Sequence, residues 1–241
     1  MSLPKTAKFQ TTMWTRIRSA PDDPIILTEL LESYWSPIYV FLRRSGYSEH
    51  EAEDLTQAFI TDRLLKPNLY RGADRGKGRF RNYVLKALKN YLIDLNRASR
   101  REPSTCSLDM LSAGHAGADA MMASGDGEPG LAFEQEWAIT IFQGALDRLR
   151  AECEASGQQI HWQAFEIAHP EVSSPSIQPS KRPTNDEIAA RINARDATHV
   201  SILLNTVRRK YKRILQALIV ETLEDPAEYE AELDLLRRRL P

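Results

Sequence analysis

The residues best suited to chemistry cluster at Glu49, His50, Glu51, Glu53 and Asp54. Carboxylates at this density serve enzymes as divalent-metal ligands or as general acids and bases. Their spacing argues against both uses. Glu53 and Asp54 are sequential and face different directions on a helix, and His50 has no partner at ligand spacing. No glycine-rich phosphate loop, HExxH motif or activated serine or cysteine pattern accompanies them. Cys106 and Cys153 also lack metal-ligand spacing and read as free thiols of a reducing compartment. We therefore expect no catalytic residue, no metal and no cofactor.

What the chain offers instead is charge arranged for binding. From Glu49 to Asp62 there are five carboxylates and no Lys or Arg, whereas Asp74 to Arg101 holds nine Lys or Arg against two Asp. Opposite blocks side by side point to two partners, one basic and one polyanionic. The formal net charge of −1 over 241 residues hides this. With 42% hydrophobic residues the chain can bury one or two modest cores. No window approaches the run of about 18 apolar residues of a membrane span, and MSLPKTAKFQTTMW has no apolar stretch behind its charges. A soluble, cytoplasmic protein without membrane partners is expected.

The elements that must position these charges read as helices. Leu27, Leu30, Leu31, Tyr34, Ile38, Phe41 and Leu42 recur at helical steps across residues 24–44, with Pro37 expected to bend or split the segment. Ser48 and Glu51 form a capping box, and Ala52, Leu55, Phe59 and Leu64 supply an apolar face opposite the acids. Lys66 to Gly78 reads as a connection. Phe80, Val84, Leu88 and Leu92 then set another stripe, leaving Arg79, Arg81, Lys86, Lys89 and Arg97 largely to exposed sides. Residues 102–136 contain seven Asp or Glu and no Lys or Arg, and read as an acidic flexible linker. Periodicity resumes with Trp137, Ile141, Ala145 and Leu149, and again around Trp162 to Ala168. Asp225, Pro226 and Glu228 open a terminal helix. No alternating strand pattern competes, so the expected fold class is all-α. Two helical domains, 1–101 and 134–241, are expected on the linker 102–133.

Within the second domain, Thr184 and Glu187 form a second capping box that opens EIAARI. A short turn, NARD, separates it from a helix carrying Val200, Leu203 or Leu204, Val207, Tyr211, Ile214 and Leu218. This is the form of a helix-turn-helix. Arg208, Arg209, Lys210, Lys212 and Arg213 follow without an intervening acid, a density suited to phosphate contact, or else to a solvated face favoured by the helix dipole. In the first domain Phe80 and Tyr83 lie among basic residues, as suits a single strand whose bases unstack onto rings. Periodicity places Phe80 in the core and makes Tyr83 the better candidate for exposure.

The series YWSPIYVFLRRSGYSEHEAEDLTQAFITDRLL, then GRFRNYVLKALKNYLIDLNR, resembles region 2 of bacterial extracytoplasmic-function sigma factors, the promoter-recognition subunits of RNA polymerase. AEDLTQ, GRFR and an N-terminal TTxW, here Thr11, Thr12 and Trp14, resemble the branch found beside Ser/Thr protein kinases. The likeness continues through FEQEWAITIFQGALDRLRAE to region 4, from EIAARI to RRKYKRIL, and into the C-terminal tail. It implies that Glu51, Glu53, Asp54 and Gln57 dock on core RNA polymerase. It implies that Arg79, Arg81, Asn82, Tyr83, Lys86, Lys89, Asn90 and Arg97 hold the melted single strand of promoter DNA. It also implies that residues 198–213 read duplex DNA, with Ser201, Asn205 and Thr206 near bases and Arg208, Arg209 and Lys212 on phosphates. The acidic linker matches a segment that threads toward the active-centre cleft of the polymerase.

The chain departs from that pattern at several positions. The turn carries one extra residue, Asn193 replaces the usual glycine, and Ile202 and Leu203 stand where polar or basic DNA-facing side chains are common. Asn193 suits the site because asparagine tolerates a left-handed backbone. The kinase-associated likeness further implies a Ser/Thr kinase or an anti-sigma protein as a partner. Thr56, beside Asp54, is a candidate phosphorylation site whose new charge would strengthen an acidic face, or else a partly buried helix residue that is never modified. The expected function is that of an initiation sigma factor; the alternative is a helix-turn-helix DNA-binding regulator without polymerase docking.

Overall fold

The computed structural model describes residues 24–64, 79–101, 127–172, 182–223 and 225–240. The expectations placed on Thr11, Thr12, Trp14, the 66–78 connection, Cys106 and residues 102–126 of the linker lie outside the described residues. The fold is all-helical, with no strand among the described residues. Its helices are α1 Pro24–Arg44, α2 Glu49–Phe59, α3 Phe80–Arg101, α4 Glu128–Ala155, α5 Gln159–Ala168, α6 Asn185–Ile192, α7 Ala197–Thr222 and α8 Tyr229–Arg239. The chain forms two compact units, residues 1–140 with 219–241, and residues 141–218. The C-terminal helix thus belongs with the first unit, where the sequence boundaries had grouped it with the helix-turn-helix. No helix among the described residues is long and apolar enough to cross a membrane.

In the first unit, Tyr34, Ile38, Phe41 and Leu42 of α1 are almost wholly buried, as their helical spacing requires. Pro37 neither ends nor splits α1, which runs through it to Arg44. An interior proline costs a helix about 3 kcal/mol. Burial contributes about 1.5–3 kcal/mol for each large apolar side chain, and four flank the proline here. Ring packing ties α1 to its neighbours: Tyr34 meets Phe80 of α3 edge-on at 5.4 Å and stacks on Trp137 of α4 at 4.7 Å. Burial pushes the Tyr34 hydroxyl pKa far up, so the ring pair stays neutral.

The acidic run begins as expected, with both halves of the Ser48–Glu51 capping box formed. Its apolar positions continue through Phe59 and Ile60 to Leu64. The helix ends in a π-helical turn, Ile60–Leu64, and Phe59, Ile60 and Leu64 all reach the core. Helix α4 starts at Glu128, so residues 128–133 of the expected linker are helical, and Phe133 is fully buried. The terminal segment opens as expected with Asp225 accepting from the Ala227 amide. A 3-10 turn, Pro226–Glu228, precedes α8 there.

In the second unit, α5 places Trp162, Ala164, Phe165 and Ala168 in the core. Helices α6 and α7 are separated by the four residues of NARD, as expected. The turn works because Asn193 adopts φ 54 and ψ 40, the left-handed conformation, while the amides of Asn193 and Ala194 both donate to the Ala189 carbonyl. Asp196 then caps α7 by accepting from the His199 amide at 2.7 Å. Cys153 is buried, and burial raises its pKa, so the thiol is held un-ionised.

Candidate nucleic-acid and protein interfaces

Helix α2 divides its side chains cleanly. Ala52, Thr56 and Phe59 face the core, and Glu53, Asp54 and Gln57 are exposed together one turn apart. Glu51 is engaged elsewhere: its Oε2 accepts from the Ser48 amide at 2.8 Å and hydroxyl at 2.6 Å. Those bonds hold its carboxyl below the usual carboxylate range. It therefore acts first as a cap, and the acidic surface is Glu49, Glu53 and Asp54 with Gln57, and His50 lies 3.8 Å from Asp54. Among the described residues no group of three or more His, Cys, Asp or Glu is arranged to hold a metal ion.

Thr56 is not part of that surface. It is 0% exposed, and its hydroxyl donates to the Ala52 carbonyl at 2.6 Å. A threonine one turn from buried Ala52 and three residues before buried Phe59 lies on the inner face, so the phosphorylation expectation fails on accessibility in the folded chain.

The basic helix α3 needs a larger correction. Arg79 and Arg81 do not stand on exposed sides. The Arg81 side chain is 2% exposed, with its Nε 3.1 Å from Glu134 of α4 and its terminal nitrogen on Glu232 of α8. Arg79, 22% exposed, lies 2.6 Å from the same Glu232, which is fully buried. Two cations and two carboxylates thus neutralise one another inside the first unit. Helical spacing carried the signal: Arg81 sits three and seven residues before the core residues Val84 and Leu88. Glu232 likewise falls between Tyr229 and Leu236 on the inner face of α8. An ionisable residue on an apolar stripe requires a partner, and no local pattern names one.

What remains on the surface of α3 is a row of Asn82, Lys86, Asn90 and Arg97, with Lys89 half-exposed beside it. Asp94, the acid of this stretch within the described helix, is paired with Arg63 at 3.1 Å. Phe80 is buried as expected, and Tyr83 is half-buried with its ring 6.4 Å from that of Phe80.

In the second unit the exposed side of α7 carries Ile202, Asn205, Arg208, Arg209 and Lys212. Leu203 and Leu204 are both buried, so the apolar residue at 203 is core, and Ile202 alone of that pair faces outward, 55% exposed. Ser201 is half-buried and accepts from the Asn185 side chain at 2.8 Å, which locks α6 to α7. Thr206 is half-exposed and returns its hydroxyl to the Ile202 carbonyl at 2.9 Å. The basic cluster also splits. Lys210 lies 3.3 Å from Glu152 of α4, and Arg213 bonds the other oxygen of that carboxylate. The Arg213 bond, with help from Lys210, holds Glu152 below the usual range. Among the described residues no carboxylate pairs with Arg208, Arg209 or Lys212.

No known family model, curated protein or solved structure matches the chain.

Proposed function

We propose that the chain is a transcription initiation factor of the sigma type, which docks on core RNA polymerase through α2 and holds an opened promoter strand along α3. The observation that carries the reading is the separation of two exposed rows within one unit: Glu53, Asp54 and Gln57 on α2, and Asn82, Lys86, Asn90 and Arg97 on α3. An acidic-polar row suits a basic protein surface, and a cationic-amide row suits phosphates and base edges. Binding alone then does the work: free energy from both contacts offsets the cost of opening the duplex. Cytoplasmic action and restraint by an anti-sigma protein belong to the same reading.

Capture of core polymerase and run-off transcription test it. The double replacement Glu53→Lys with Asp54→Lys reverses the docking charge and is expected to lower both by at least tenfold while leaving helicity unchanged. Normal capture by that variant would refute the assignment of α2.

The second reading, a helix-turn-helix regulator that binds duplex DNA without polymerase, is favoured by one observation. The α6–turn–α7 unit presents Arg208, Arg209 and Lys212 without carboxylate partners among the described residues, next to exposed Asn205. For either reading, Arg208→Gln and Lys212→Gln are each expected to reduce the slope of log affinity against log salt for duplex DNA by about 1. Arg213→Gln should change it less, because Glu152 already occupies that guanidinium. Equal slopes for the three variants would count against phosphate contact by this face. Promoter-specific transcription that needs core polymerase separates the first reading from the second.

A further inference from the structure

Helix α8 does more than close the core of the first unit. Between it, α3 and the first turn of α4 lies a half-open groove of about 420 Å³. Leu85, Leu131 and Leu235 contribute apolar surface, one from each helix, and Asn82, Lys86 and Arg239 bring polar and cationic groups to the same space. Lys89 adds a further cation to the lining. Arg79, Arg81 and Glu134 also reach it, but the first two are neutralised by Glu134 and Glu232. Lys86 and Arg239 are the cations of the lining that the proposal below uses.

This combination has a chemical preference. A groove of several hundred Å³ holds a nucleotide-sized group, apolar side chains accept the face of an unstacked base, and flanking cations accept its phosphates. A paired base presents no free face, so the groove selects a single strand over a duplex. Asn82 and Lys86 belong both to the groove and to the exposed row of α3, so a strand on that row leads into it.

We propose that α8 completes the strand-binding surface: the groove between α3, α4 and α8 takes a base of single-stranded nucleic acid against Leu85, Leu131 and Leu235, and Arg239 and Lys86 contact the adjacent phosphates. The inference rests on the reading of α3 as a strand-holding helix and adds a contribution from the far end of the chain.

The test is equilibrium binding of the full-length chain to a fluorescently labelled single-stranded DNA oligomer, and to the same sequence as RNA, over a range of salt. Arg239→Gln is expected to weaken binding about 3- to 10-fold and to reduce the salt slope by about 0.7, the value for one phosphate contact on a single strand. Leu235→Gln is expected to weaken binding with the slope unchanged. Arg237→Gln, which removes an exposed arginine outside the groove, is the control and should bind as wild type. Absence of strand binding by the wild-type chain, or wild-type affinity for both groove variants, overturns the proposal. So does displacement of the strand by an acidic peptide of equal charge at equal concentration, which would assign the groove to a protein ligand. Preference for DNA or RNA in the paired oligomers identifies the strand. Polymerase capture is measured on the same variants: loss of strand affinity without polymerase capture by wild type would sink the sigma reading and leave the groove standing, and the converse would do the opposite.

Discussion

Replacement of Glu232 by alanine is expected to destabilise the first unit by about 3–5 kcal/mol, the usual cost of removing one partner from a buried ion pair. Glu232 is fully buried and serves both Arg79 and Arg81, of which Arg81 is itself almost without solvent contact. Its loss leaves one carboxylate, Glu134, to balance two guanidinium groups, of which Arg81 is almost cut off from solvent. The destabilisation arises from the charge left behind more than from the attraction lost. Two further variants separate these contributions. Glu232→Gln keeps the shape and some hydrogen bonding, and should cost less than alanine. Arg81→Met combined with Glu232→Leu removes opposite charges together and should recover much of the loss, because well-packed apolar replacements of buried pairs are often close to neutral. Chemical denaturation followed by circular dichroism reads all three. A Glu232→Ala variant within 1 kcal/mol of wild type would mean that the cluster contributes little to holding α8 on α3.

The second large effect is expected at Thr56. Thr56→Glu, the customary mimic of phosphorylation, should behave as a core lesion and not as a gain of acidic surface. The side chain is 0% exposed and lies on the inner face of α2 with Ala52 and Phe59. A carboxylate forced into that position loses its hydration, and the added volume strains a packed core; together these cost more than about 3 kcal/mol. Thr56→Ala should be mild, about 1 kcal/mol, since the hydroxyl bonds only to a carbonyl of its own helix. The decisive comparison is thermal unfolding of the two variants beside their capture of core polymerase. A Thr56→Glu protein as stable as wild type and better at capture would restore the phosphorylation switch. A lower melting temperature with capture lost in proportion places the effect in the fold. A kinase acting at Thr56 would have to meet α2 locally unfolded.

The surviving polar surfaces are smaller than the charge blocks that announced them. Of the five carboxylates of the acidic block, Glu51 is a cap, which leaves Glu49, Glu53, Asp54 and Asp62 exposed. Of the basic block's described side chains, Arg79 and Arg81 are structural, and the exposed row runs from Asn82 to Arg97. In α7, Lys210 and Arg213 share Glu152, which leaves Arg208, Arg209 and Lys212. A run of charge in a sequence sets an upper bound on the charge a partner meets.

Sequence alone determined the local structure, because that structure depends on residues a few positions apart. Helical periodicity placed the stripes of α1, α3 and α7, paired Ser–Glu and Thr–Glu positions placed the starts of α2 and α6, and Asn193 supplied the left-handed residue the turn required. Only the tertiary structure decided which charges are free. Arg81 finds its carboxylates 53 and 151 residues further along the chain, and Lys210 finds Glu152 on another helix. Periodicity orients a side chain inward or outward; it does not say which distant residue packing brings opposite it, and with charged groups that partner determines whether the charge is neutralised in the core or presented to a ligand.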